Sequence, residues 1–309
     1  MATYYAPNGL HNEFWTMSAF GGQYEDHGKA YILLLLSDSN LPTGSFVASA
    51  GLESYVTHGF FSSTQSPPRD KMDATIDFLQ DSLRSYAHSA LPFVTDAHMS
   101  ARKLLSTHED MSGSSGVIDL DDLYESMTLN HVSRRASKSQ GVALLTLYSK
   151  GFSRPSTRRQ RHLRHEAVDS ELLQEDRAGA FVDELKLLIR QDKTHGHLPV
   201  CWGVLTACLG LSLERSQFLH LFLHARSLLS ASVRLNTIGP YAAQQLLLHA
   251  VKPLVEFESR RCQHLHTELG GDNSGDRVDE VTHGPAVTWP LGEILAARHD
   301  LQHSRIFNS

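Results

Sequence analysis

Several things are scarce in this chain of 309 residues, and each scarcity excludes a class of protein. There are three cysteines, Cys201, Cys208 and Cys262, too few for a disulfide framework, so a reduced, cytoplasmic setting is expected. There is no excess of positive charge. Lys and Arg number 28 against 34 Asp and Glu, a net charge of −6, and no global basic field is left to hold nucleic acid. Charged residues make up only 20%, which points to surfaces covered by partners. The apolar run Tyr31–Leu36 is far short of the roughly 20 residues that a membrane span needs. The opening MATYYAPNGLHNEFW has neither a basic n-region nor an apolar core, so it does not read as a signal peptide. Nucleotide and hydrolase motifs are missing too. Gly22-QYEDH-Gly28-Lys29-Ala30 is one residue too long for a phosphate loop and lacks its Ser or Thr. His165-Glu166 is not part of an HExxH, and there is no GxSxG.

Alternation of period two is also absent, so no strand is expected. Helical spacing is plentiful. Met72, Ile76, Leu79, Leu83 and Tyr86 step by four, three, four and three behind an Asp70 cap. Pro92 reads as a fresh helix start, giving about 92–107. Further helices are expected near 29–37, 45–58, 120–151, 178–192, 198–210, 214–236, 240–266 and 290–303. The fold class is all-α, a single-domain bundle of about nine or ten helices. Residues 1–28 read as an irregular N-terminal arm. Residues 29–309 form the domain, with loop insertions near 153–177 and 268–288.

The histidines are the obvious candidates for chemistry. Cys262, His264 and His266 form a C-x-H-x-H run in which a helix would place Cys262 and His266 on one face. Nickel or zinc would accept such ligands, but two side chains are half of the usual set of about four. His195 and His197 sit at a turn. His220 and His224 flank Leu221, Phe222 and Leu223 and read as helix packing. Cys201 lies in an apolar helix start and reads as a buried thiol. The basic run Arg154–Arg164 is followed at once by Glu166, Asp169, Glu171, Glu175 and Asp176, and the pair reads as a solvated loop.

The stretch LLLLSDSNLPTGSFVASAGLES breaks an apolar helix and restarts it with small side chains. Ser45, Ser49 and Gly51 leave little bulk, so a neighbouring backbone can approach closely. Gly51 inside a helix would cost about 0.5–1 kcal/mol relative to Ala. This is expected to be a packing seam, within the chain or in a homodimer.

The same stretch resembles the opening signature of the UreF family of urease accessory proteins, through Leu33, Leu35, Ser37, Leu41, Pro42, Gly44, Phe46, Ser49, Gly51, Leu52 and Glu53. LNHVSRRASKSQG, HGHLPVCWGVLTACLGLSLE, SASVRLNTIGPYAAQQLL and HDLQHSRIFNS are similar to the later family motifs, in order. The resemblance, closest to eukaryotic members, implies a non-catalytic adaptor that dimerises. It would join a UreD/UreH-like protein and the GTPase UreG for nickel insertion into the urease apoprotein. Nickel is then handled by the complex and GTP by UreG, with no cofactor resident in this chain and no contact with nucleic acid or membrane. The resemblance assigns the tail residues Gln302, Ser304, Arg305 and Phe307 to the UreD/UreH contact, extended by His299. It offers Arg134 and Arg135 as a surface for UreG. Two alternatives stay open: a GTPase-activating regulator of UreG, and an unrelated all-α metal-binding protein.

Overall fold

The computed structural model describes residues 23–38, 41, 43, 45–61, 70–106, 115–153, 166–269 and 284–309. Every regular element among them is helical, as the periodicity requires. The α-helices are α1 (Gln23–Leu36), α2 (Leu52–Thr57), α3 (Lys71–Ser106), α4 (Ser115–Met127), α5 (His131–Leu147), α6 (Glu166–Arg190), α7 (Leu198–Cys208) and α8 (Leu213–Arg234). Then α9 begins as Pro240–Leu246, widens through a π turn at Leu247–Val251 and continues as Lys252–Cys262. Helix α10 (Pro290–Ala297) runs into a 3-10 turn, Arg298–Leu301.

The long helix α3 is the axis of the bundle and packs on α7, α8, α9 and α4. Its buried residues include Phe78, Leu83, Leu91, Phe93 and Val94. Each such side chain contributes about 1.5–3 kcal/mol on leaving water. Helix α7 is apolar on all sides and lies inside the bundle, with Pro199 through Ala207 all buried. At Gly203 a Cβ would sit 2.7 Å from the Val94 carbonyl oxygen, so only glycine lets α7 lie this close to α3.

Several helix boundaries depart from the sequence reading. Helix α3 runs straight through Pro92, where two helices were expected. Proline has no N–H for the carbonyl of His88, and the amide of Ala286 supplies the missing bond at 3.2 Å. The expected helix over 120–151 is two helices. Asn130 ends the first and caps the second, its side-chain oxygen accepting from the amides of Val132 and Ser133. Helix α6 starts at Glu166, inside the stretch read as a loop. Helix α1 starts at Gln23, inside the stretch read as an arm. The basic run Arg154–Arg164 and Gly22 lie outside the described residues, as do Pro42 and Gly44.

The expected helix over 45–58 is also corrected. Ser45–Val47 form a 3-10 turn, and α2 begins only at Leu52. Ala50 and Gly51 between them both take left-handed backbone, at φ 48° and 85°. Gly51 therefore caps α2 from outside, and the helix-interior cost does not apply. No described helix is long and apolar enough to cross a membrane.

Candidate functional site

Residues 45–51 pack against α8 and this chain's own C-terminal elements. A Cβ on Gly51 would stand 3.1 Å from the backbone nitrogen of Ala296 in α10. Ser227 in α8 donates to the carbonyl of Ser45 at 3.3 Å. Ser49 is fully buried, and its amide donates to the carbonyl of Ser309 at 2.5 Å. One step away, the amide of Asn308 donates to the carbonyl of Val47 at 2.9 Å. The tail lies along residues 47–49 and is joined to them by these two main-chain bonds.

Glu53 is the centre of this arrangement. It is 4% exposed. Its Oε1 accepts from the amide of Ile306 at 2.5 Å and its Oε2 from the amide of Phe307 at 3.3 Å. His299 Nε2 stands 3.3 Å from the same Oε2. Gln302 donates to the Ser54 hydroxyl at 2.6 Å. Phe307 is 3% exposed, part of the core, with the Arg234 guanidinium 5.7 Å from its ring centre.

Outside this buried layer lies an ionic one. Arg135 grips Asp300 with two nitrogens, at 3.1 and 3.0 Å, and donates to the carbonyl of Asn308 at 3.2 Å. Arg305 and His131 reach the same carboxylate, at 2.9 and 3.2 Å. The Arg135 hydrogen bonds hold the Asp300 carboxyl well below the usual carboxylate range and push Arg135 up. Arg134 turns the other way. It donates to the carbonyls of Thr128 and Glu125 and pairs with the Glu125 side chain at 3.5 Å.

The tail residues named from sequence therefore divide. His299, Gln302 and Phe307 point into the chain, so Phe307 fills a pocket of its own protein in this conformation. Ser304 and Arg305 face solvent. The outward face also carries apolar residues that the sequence reading missed: Ile294 at 58% exposed, Leu301 at 71% and Ile306 at 61%, with Leu291 beside them on α10. Ile294 lies about 100° around α10 from the buried Leu295, while Leu291, four residues before Leu295, borders the buried side, and Leu301 is in the 3-10 turn that follows. The spacing was readable, but which of these apolar residues faces the core was not.

The histidine candidates are dispersed. Helix α9 ends at Cys262, so the expected helical pairing of Cys262 with His266 does not form. Cys262 is buried, and burial pushes its thiol up to about 11. His264 bonds to Gln263. His266 Nδ1 lies 2.6 Å from Asp96 Oδ1, and that bond raises the imidazole. Among the described residues no group of three or more His, Cys, Asp and Glu is placed to hold a metal ion. His220 and His224 are packing residues, as read. They stack on Tyr86, and burial lowers them to about 3 and about 4. These rings line a cleft of ≈ 860 Å³ that continues to Gly51 and Ser309.

The turn at 194–197 is held by Asp121, which accepts from the Thr194 hydroxyl at 2.6 Å and from the amides of His195, Gly196 and His197 at 2.7, 2.6 and 2.8 Å. Its His197 is buried, with Nδ1 3.1 Å from the Ser137 hydroxyl and Nε2 2.7 Å from Glu125. Leu198 N–H donates to that hydroxyl, which leaves the hydroxyl proton for Nδ1 and the Nε2 proton for Glu125.

Comparison with known proteins places the chain among relatives. The family model described as UreF matches residues 70–251. Urease accessory protein 6 of Cryptococcus neoformans var. grubii is 41% identical, over 90% of this chain and 96% of its own length. A protein of Schizosaccharomyces pombe, titled uncharacterized urease accessory protein UreF-like, is 30% identical over 91% of this chain and 97% of its own. Urease accessory protein F of Oryza sativa subsp. indica is 28% identical over 88% and 82%.

Proposed function

This chain belongs to the UreF family of non-catalytic urease accessory proteins, which act in urease maturation, and from that premise we propose that it works as an adaptor. Its C-terminal face docks a UreD/UreH-like protein. The resulting complex recruits a UreG-like GTPase and the urease apoprotein in the cytoplasm, and two copies of the chain form a homodimer. Residues 29–309 act as one domain in this scheme. The partners handle nickel and GTP.

The observation that supports this reading most is the outward face of α10 and the tail. Ser304, Arg305 and Ile306 are exposed there above a buried frame, and Leu291, Ile294 and Leu301 are exposed on α10 and the turn after it. Exposed apolar side chains together with an arginine fit the composition of docking surfaces. Arg134 and Arg135 fit this role less well. Both are bound within the chain, which leaves neither extended as a finger for the GTPase. Arg135 is better read as a support for the tail.

Replacing Ile294 and Ile306 together by Asp tests the assignment. Both are exposed, so the thermal midpoint should barely change. Capture of a UreD/UreH-like protein in a pull-down should be lost. Capture at the unmodified level would remove this face from the scheme.

A further inference from the structure

We propose that the slot formed by residues 47–54 with α5 and α8 is a peptide-binding site in its own right. Its ligand class is a short non-helical segment with one buried aromatic, and residues 302–309 of the same chain occupy it here. The contacts combine main-chain bonds, a carboxylate that accepts two amides, and one aromatic anchor. Val47 and Ser49 each provide one main-chain bond, to Asn308 and Ser309. The Glu53 carboxylate takes two consecutive amides, of Ile306 and Phe307, which sets the register. Arg135 takes the carbonyl of Asn308. A single side chain, Phe307, is swallowed whole, beneath Arg234.

The side chains of His303, Ser304, Arg305 and Ile306 all face solvent. The slot therefore reads the backbone and one aromatic ring and tolerates variation at 303–306. A ligand held in this way does not need to be part of the same chain. Covalent attachment supplies it at a high effective concentration, and the same segment added in trans should enter when the resident tail loses its anchor.

The test uses the full-length Phe307→Ala chain and a fluorescein-labelled peptide of residues 300–309, followed by anisotropy. Saturable binding is expected, and it should be at least tenfold weaker to the unmodified chain, whose slot is filled. Adding Glu53→Ala to the Phe307→Ala chain should weaken peptide binding about tenfold or more, the usual effect of losing hydrogen bonds to a charged group. A peptide with Ala at 307 should not bind. No saturable binding to the folded Phe307→Ala chain, or equal binding of both peptides, would overturn the proposal. Should that chain fail to fold, hydrogen exchange on the unmodified protein decides. The amides of Ile306, Phe307 and Asn308 should be protected as a set and exposed by Glu53→Gln; exchange at the rate of a free peptide would overturn it. Peptide binding is read with no partner present, so its failure and a failure of partner capture are separate results.

Discussion

Asp121 and Glu53 are both buried carboxylates that receive consecutive backbone amides from an irregular segment, yet the segments differ in almost every other respect. The turn at 194–197 is fastened at both ends, by α6 and α7, and Asp121 takes four donors from it. Its His197 imidazole faces inward. The tail at 302–309 is fastened by helix at one end alone, Glu53 takes two amides, and four consecutive side chains face water. A buried carboxylate is stable only when its lone pairs are filled. Both segments meet that need, but only the second has surface left over. The first clasp serves the core, and the second serves display.

The largest expected effect tests that division. Asp121→Ala strands three amides, two of them buried, and a buried hydroxyl. It should cost about 3 kcal/mol or more in urea unfolding, since each orphaned group costs roughly 1–3 kcal/mol. The same change at Glu53 should cost less, about 1–3 kcal/mol, with the loss confined to the tail. Equal losses at the two sites would mean that the tail is as much a part of the core as the turn.

A second effect comes from pH. His220 and His224, lowered by burial to about 3 and about 4, are neutral in the folded state and free to take protons at about 6.5 when unfolded. A depressed histidine contributes stability above the unfolded value, and the contribution is lost as pH falls towards the folded one. Between pH 6.5 and 5 this amounts to about 2 kcal/mol for each ring. The Asp300 carboxylate stays ionised over the same window, so its pairs with Arg135 and Arg305 should be unaffected. Urea midpoints at pH 7 and pH 5 should therefore differ clearly in the unmodified chain and less in His224→Phe, which keeps a ring against Tyr86. The same slope in both would rule out His224 as a source.

Part of this was legible in the sequence. The helical form of every regular element among the described residues and the packing of His220 and His224 follow from spacing and side-chain size. Other features depend on partners distant along the chain. Pro92 reads as a break unless one knows that Ala286 folds back to its freed carbonyl. Glu53 reads as an ordinary charge at the end of a motif until residues 306 and 307 arrive. Ile306 and Phe307 are adjacent and both apolar, yet the first is 61% exposed and the second 3%. Nothing local decides which one goes in. The slot decides, because only it offers an aromatic pocket at that step of the register.

The smallest expected effect concerns the outer layer of the tail. Asp300 collects Arg135, Arg305 and His131 and looks like the most heavily bonded residue of the region. Its side chain is nevertheless 28% exposed, and Arg135 is half exposed. Water and salt screen such pairs, and they are typically worth about 0–1 kcal/mol. Asp300→Asn should then move the urea midpoint only slightly, and the shift should shrink further in 1 M salt. Glu53, with fewer bonds but almost no exposure, should matter more. That order, the sparse buried clasp above the crowded exposed one, is what burial dictates for any pair of carboxylates. A larger loss at Asp300 than at Glu53 would mean that the tail is held from outside, by its charges, and that the slot beneath it is incidental.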